Sequence, residues 1–294
     1  MTVEPAFTAL LSLAVPLALM LQATATDTLQ YNMSQDAEIG AVVSDPGVRQ
    51  GGLVRGRIGG LAALALDGRP LPIAPDGGFL VGFGRDAPEA AMLTGKLSNG
   101  AAFSRALRVA RVSWPLRNLP TLPKGTPRTP EEIARRAAEV ARVDAARAVS
   151  HPVNGWRQRF AWPVVGRISG VFGSQTIYAG EPGSYHTGVD IARSVGTPVL
   201  APADGIVVLA SPPQFSVEGN LLIIDHGMSL SSAFLHLSRI DVPVGARVRR
   251  GQVLGAIGAT GRATGPHLHW GMVWRGVRVD PQRIAGAMTT AAAL

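Results

Sequence analysis

Cysteine is absent from this 294-residue chain. Disulfide frameworks, thiolate metal sites, cysteine nucleophiles and lipid-modified cysteines are therefore excluded. Lysine is confined to Lys96 and Lys124, so the net charge of +8 is almost wholly arginine. Aromatic residues make up only 5% of the chain, without a Lys/Arg run, a zinc finger or an aromatic RNA-binding signature. The longest basic cluster, Arg247, Arg249 and Arg250, alternates along an apparent strand edge. Nucleic acid is thus not an expected partner, and the basic balance favours an anionic wall polymer or membrane surface. With 16% charged and 46% apolar residues, the chain can bury a sizeable core.

No apolar run reaches the ~20 residues that span a bilayer. The longest runs from Ala6 to Leu21 and is followed by the small-x-small Ala23-Thr24-Ala25. Residues 1–25 read as a signal peptide, hence an exported protein of the periplasm or cell envelope. Met1 to Pro5 carries Glu4 and no Lys or Arg, which is atypical. The alternatives are a start upstream, or an uncleaved core or anchor segment.

The chain contains 35 Gly and 22 Pro with no G-x-y period, the composition of a turn-rich β protein. Residues 26–50 form an irregular lead-in. Over 51–114, short apolar runs alternate with Asp67-Gly68, Asp76-Gly77 and Asn99-Gly100, strong hairpin signals. The spacing predicts a small β-sandwich-like accessory domain, with no histidine and no clustered carboxylates. Residues 115–150 hold a proline-rich linker and then a helix. Thr129-Pro130-Glu131-Glu132 is a capping box with proline at N1, and Ile133, Ala137, Val140 and Ala141 follow at helical spacing. That pattern predicts a solvated connecting helix that packs one narrow Ala/Val stripe. From Trp162 the chain is again all β. The predicted fold is mainly β, with a second β domain over 160–284 and a tail at 285–294.

All six histidines lie at or after position 151. His186 and Asp190, four apart, share a face in either a helix or a strand, with Gly188 between them adding no side chain. His267 and His269 project from one strand face while Leu268 points to the other. Two adjacent imidazoles repel when protonated, so metal or catalytic use explains them better than packing. In Phe234-Leu235-His236-Leu237-Ser238, strand alternation places Phe234, His236 and Ser238 on one face. Zinc takes imidazole nitrogen and carboxylate oxygen, with three protein ligands in catalytic sites. His186, Asp190 and one of His267 or His269 supply such a set, and the other two histidines are left for acid/base and oxyanion roles.

These motifs, HxxxD, a later HLS-type His and GPHLHW, resemble the lysostaphin/LytM-type zinc metallopeptidases of bacterial cell walls. Further matching text includes GRISGVFG at 166–173, GTPVLAPADGIV at 196–207 and GATGRATGPHLHWGM at 258–272. The resemblance covers about 160–284. It implies an antiparallel β fold, the duplicated hybrid motif, with one Zn2+ on His186, Asp190 and His269. It implies that His236 and His267 flank the reacting water as catalytic residues, without saying which takes the proton. The implied activity is hydrolysis of peptidoglycan stem-peptide cross-links. A D,D-endopeptidase cutting D-Ala to diaminopimelate links is the expected form, given an arginine-rich composition that suggests a GC-rich Gram-negative genome. The alternative is a catalytically silent regulator of the same fold that activates a wall amidase, but inactive relatives lose ligands and all five positions here are intact. A wall enzyme or envelope partner is expected to use the N-terminal β domain.

Two departures from the family's pattern bear on the groove. Phe234 replaces a common Tyr, which removes a hydroxyl from the groove. The loop from Thr176 to Tyr185 could carry Glu181 over the metal and hold the enzyme latent. His226 reads as a structural turn residue, His151 as a helix C-cap or solvated group, and Asp204 and Asp225 as turn residues beside glycine.

Overall fold

Asp67 and Gly68 both take positive φ, 48° and 74°, the backbone of a two-residue hairpin turn that follows the strand twist. They join Leu61–Leu66 to Arg69–Pro70, and Ala90–Leu97 and Ala102–Arg108 complete a four-stranded antiparallel sheet. A second, three-stranded sheet combines Val42–Ser44, Leu53–Arg57 and Gly78–Gly82. The computed structural model describes residues 42–44, 48–121, 129–211 and 214–289. The apolar segment 1–25, most of the lead-in, residues 122–128 and the end of the tail lie outside the described residues.

The proline-rich stretch contains a strand where a linker was expected. Leu116–Leu119 pairs in parallel with Gln175–Tyr178, which turns back at Ala179-Gly180 into Glu181–Tyr185. Proline's fixed φ suits an extended edge as well as a spacer, so Pro115 and Pro120 bracket a strand.

The helix α1 (Pro130–Ala148) starts on the expected capping box. Thr129 Oγ1 accepts from the Glu132 N–H at 3.3 Å, and Glu132 Oε2 accepts from the Thr129 N–H at 2.9 Å. Its docking face differs from the predicted stripe, for Ile133 is 56% and Val140 41% exposed. Val143 and Ala146 instead pack on Leu209, Phe215, Leu221, Ile223 and Ala233. Beside them Glu139 is buried and accepts from the Ser216 N–H at 2.7 Å and the Ser216 hydroxyl at 2.5 Å. Burial alone would raise its pKa, but Ser216, Arg136 and Arg135 outweigh that and hold it at about 2. Arg136 also clamps Glu218 through two bonds of 2.6 Å. Counting apolar positions missed this face because its anchor is a fully hydrogen-bonded carboxylate.

The main sheet has ten strands. Its central path runs Gly205–Ala210, Asn220–Asp225, Leu230–Ile240, His267–Trp274, Gly188–Ala192 and Arg167–Gly170, all antiparallel. Val189, Ile191, Leu222, Phe234, Leu268, Trp270 and Met272 are fully buried. Along Gly188–Ala192 and His267–Trp274 they alternate with Asp190, His267 and His269, so one sheet face makes the core and the other carries the polar cluster. The mainly β fold matches the expectation. Among the described residues, no helix is long and apolar enough to cross a membrane.

His226 is fully buried against Phe160. Its Nδ1–H donates to the Asp204 carbonyl at 2.8 Å and its Nε2 accepts from the Ser232 hydroxyl at 2.9 Å. Burial pushes its pKa down to about 4, from an ordinary 6.5, against the pull of the Asp204 carbonyl and the Asp225 and Asp204 charges. The unfolded chain therefore binds this proton first, and stability that is full above pH 6.5 declines as pH falls toward about 4. Urea midpoints across that window should show the decline, while the His226 ring should still resonate as neutral imidazole at pH 5. A ring already titrated at pH 6 would contradict this. His151 does not cap the helix, for its N–H and Nδ1 both approach Asp225 Oδ2, at 2.6 and 3.0 Å, while its side chain stays partly exposed.

Candidate active site

Antiparallel register sets Asp190 directly opposite His269, with Ala192 opposite His267 and Gly188 opposite Gly271. His186 precedes the first of these strands and is held by its backbone, donating to Ser174 O at 2.7 Å and accepting from the Gly173 N–H at 2.8 Å. The three side chains then converge. His186 Nε2 lies 3.1 Å from Asp190 Oδ1 and 3.1 Å from His269 Nδ1, and His269 Nδ1 lies 2.8 Å from Asp190 Oδ1. Three such atoms cannot satisfy one another by hydrogen bonds, because protons cannot point along all three edges of so small a triangle. A tetrahedral ion with bonds of roughly 2.0–2.1 Å spaces its donors about 3.3 Å apart. The observed edges are close to that, so His186, Asp190 and His269 could hold one metal ion.

The outward nitrogens support this reading of the donor set. His186 Nδ1–H donates to the Val171 carbonyl at 3.1 Å, which leaves Nε2 as the lone-pair nitrogen. Burial disfavours charge on Asp190, but hydrogen bonds and charges from His186 and His269 outweigh it and hold the carboxyl far below its ordinary range. Burial lowers His186 too, yet Asp190 reverses that and leaves its pKa raised. His269 is lowered, mainly by burial.

His236 reaches this cluster by a route the strand pattern does not show. It takes φ 62°, and Asn220 pairs with Leu237 while Leu222 pairs with Phe234, so the long strand carries one extra residue. The bulge rotates His236 out of alternation. Phe234 pairs with Trp270 in the core, and Leu235 pairs with His269. The expected shared face of Phe234 and His236 is thus corrected. The Phe234 ring is fully buried among core residues and takes no hydroxyl from the groove.

The His236 and His267 rings lie 4.8 Å apart, and His267 Nε2 is 3.8 Å from Asp190 Oδ1. The glycine-rich segment before His267 supplies carbonyls to both. His236 Nδ1–H donates to Thr260 O at 2.9 Å, and His267 Nδ1–H donates to Gly265 O at 2.8 Å. Burial lowers the pKa of His236, with the neighbouring His267 and His269 adding to the effect. Sequence reasoning missed Val171, Thr260 and Gly265, since a backbone carbonyl has no letter of its own; only the glycine run marked the place. All five predicted site residues are brought together. Glu181 is not among them, for it stands exposed at the hairpin turn, paired with Tyr178.

Two glycines keep the cluster tight. A Cβ on Gly188 would sit 2.4 Å from the Trp270 carbonyl and 2.7 Å from His269 Nε2, and one on Gly170 would sit 2.5 Å from Asp190 Oδ2. Along the same sheet face, a cavity of about 130 Å³ opens beside His269 between α1 and the strands, with Leu235, Ala233, Gly271 and Val273 in its lining.

Residues 184–281 match Peptidase family M23. A crystal structure of a Pseudomonas aeruginosa protein assigned to peptidase M23 is 30% identical, with a TM-score of 0.64, over 84% of this chain and 97% of that one. The peptidoglycan DD-endopeptidase ShyA of Vibrio cholerae is 43% identical over 98 residues, 33% of this chain and 22% of that protein. The DD-carboxypeptidase/endopeptidase Mpg of Neisseria meningitidis is 38% identical over 119 residues, 40% of this chain and 27% of that protein. The chain thus spans about a quarter of the length of these last two.

Proposed function

Because the chain belongs to peptidase family M23, we propose that it is a zinc-dependent endopeptidase that hydrolyses the stem-peptide cross-links of peptidoglycan. The observation that carries this reading is the convergence of His186 Nε2, Asp190 Oδ1 and His269 Nδ1 beside His236 and His267. Zinc held by these three donors supplies Lewis acidity toward a peptide carbonyl. His236 and His267 each keep Nδ1–H on a backbone carbonyl, so each offers Nε2 as the free ring nitrogen. One takes the proton of the attacking water there, and the other, protonated, donates to the oxygen that gains charge. Burial favours the neutral form of His236, the form that can accept a proton.

The D,D-bond between D-Ala and diaminopimelate is the substrate of choice, supported by the names of the Vibrio and Neisseria relatives. We place the activity in the periplasm or cell envelope. The β segment over 51–114 serves there as a positioning or partner-binding domain. Purified sacculi incubated with the protein, with and without a zinc chelator, test the reading. Chelator-sensitive loss of cross-linked dimers is the expected result, with products that identify the bond. Dimers that persist while zinc is bound would overturn it in favour of a regulator of another wall enzyme.

A further inference from the structure

Among the four clustered imidazoles, His269 is distinct. His186, His236 and His267 each give their outward Nδ1–H to a backbone carbonyl. His269 turns Nδ1 inward, so its outward atom is Nε2, close to Gly188 and Gly271 at the edge of the cavity beneath α1. The charged lining of that cavity is Arg136, Asp144, Arg147, Glu218 and Arg278, with Thr187 beside them. Arg136 and Glu218 already neutralise each other through two bonds of 2.6 Å. Arg147 and Arg278 are left facing Asp144. The Arg147 Nε is buried and has no hydrogen-bond partner among the described residues. Burial, and then the charge of Arg278, push the Arg147 guanidinium below its ordinary pKa. Asp144 gives the half-buried Arg147 and the exposed Arg278 one negative charge between them, which leaves an open donor and one surplus positive charge for an anion to complete.

We propose that this cavity is a carboxylate subsite of the substrate groove, with Arg147 as its specificity-determining residue and Arg278 as the second cation. The proposal deepens the endopeptidase reading and rests on it for the identity of the ligand, a free carboxylate of the cross-linked stem peptide. Guanidinium binds carboxylate in a planar, two-pronged geometry that a neutral amide cannot reproduce. The register sets the distance. Arg278 pairs with Val273, four residues beyond His269 along one strand, a step of roughly 13–14 Å. The recognised carboxylate therefore belongs about four extended peptide residues from the scissile bond, at ~3.3–3.6 Å per residue.

The test compares a cross-linked stem-peptide dimer bearing free carboxylates with the same dimer amidated at those groups. For the unmodified protein, kcat/KM on the amidated dimer should be roughly 10- to 100-fold lower, the usual worth of a charge-assisted hydrogen bond. Arg147→Met should lose the preference, with both dimers cleaved at the lower rate, and Arg278→Gln, on an exposed position, should lose part of it. Melting temperature separates this from a packing role, because Met keeps the apolar stem of the half-buried Arg147 while removing a charge that burial and Arg278 disfavour, so stability should change little. A clear fall in stability with the preference retained would overturn the proposal.

Equal kcat/KM on both dimers in the unmodified protein would overturn the subsite while leaving the endopeptidase reading intact. If neither dimer is cleaved, the endopeptidase reading fails, and calorimetric binding of the two dimers still decides the subsite. Inorganic phosphate serves as the competing free anion. Phosphate bound through Arg147, with no dependence of peptide binding on amidation, would mark a free-anion site and refute the carboxylate subsite.

Discussion

His269→Ala is expected to lose stoichiometric zinc and all measurable cleavage of cross-linked dimers. His269 supplies one of three donor atoms that lie within 4.8 Å of one another, and among the described residues no other His, Asp or Glu joins that group. Loss of a partner that merely orients a metal-bound histidine costs about 10–100-fold in affinity. Loss of the donor itself should exceed the upper end of that range. Zinc content after dialysis, measured beside dimer cleavage, checks both parts. Retention of one zinc per chain in this variant would show that the triangle of His186, Asp190 and His269 is not the metal site. The variant should remain folded, because the strand register around Asp190 rests on backbone bonds and on Leu268 and Trp270 in the core.

The second large effect separates chemistry from metal binding. His267→Ala should keep its zinc and lower kcat by about 10²–10⁴-fold, the usual contribution of a positioned acid or base. The companion change at His236 requires more care. His236 sits at φ 62°, where alanine is strained and asparagine is tolerated. His236→Asn is therefore the informative variant, with the same expected loss and the same retained zinc. The double variant should fall little below the worse single one, because the two rings act as a unit on one transition state. Zinc loss in either single variant, or a kcat within tenfold of the parent, would remove that residue from its proposed role.

How much of this was legible in the sequence follows from what each residue needs. The pairing of His267 with His269 is a period-2 pattern, and His186 with Asp190 a period-4 one, so both could be read without a fold. The orientation of His236 could not, because it depends on one extra residue in the long strand that no hydropathy pattern marks. The start of α1 was written in Thr129, Pro130 and Glu132, whereas its docking face was hidden. Its anchor, Glu139, reads as a surface residue until Ser216 and Arg136 are brought to it. The strand at 116–119 was masked by prolines that serve spacers and edges equally.

The position of α1 also bears on how such a protein changes over generations. The stretch that matches the peptidase family starts at residue 184, yet one wall of the cavity beside His269 is drawn from residues 136–147. On the proposed reading, the chemistry is written within the matched stretch alone, whereas the fit draws on both parts of the chain. If the cavity is the proposed subsite, substitutions along the inner side of the helix should retune what enters while leaving the five clustered side chains in place. Grafting this helix together with the Arg278 strand onto another member of the family should then transfer substrate preference rather than activity.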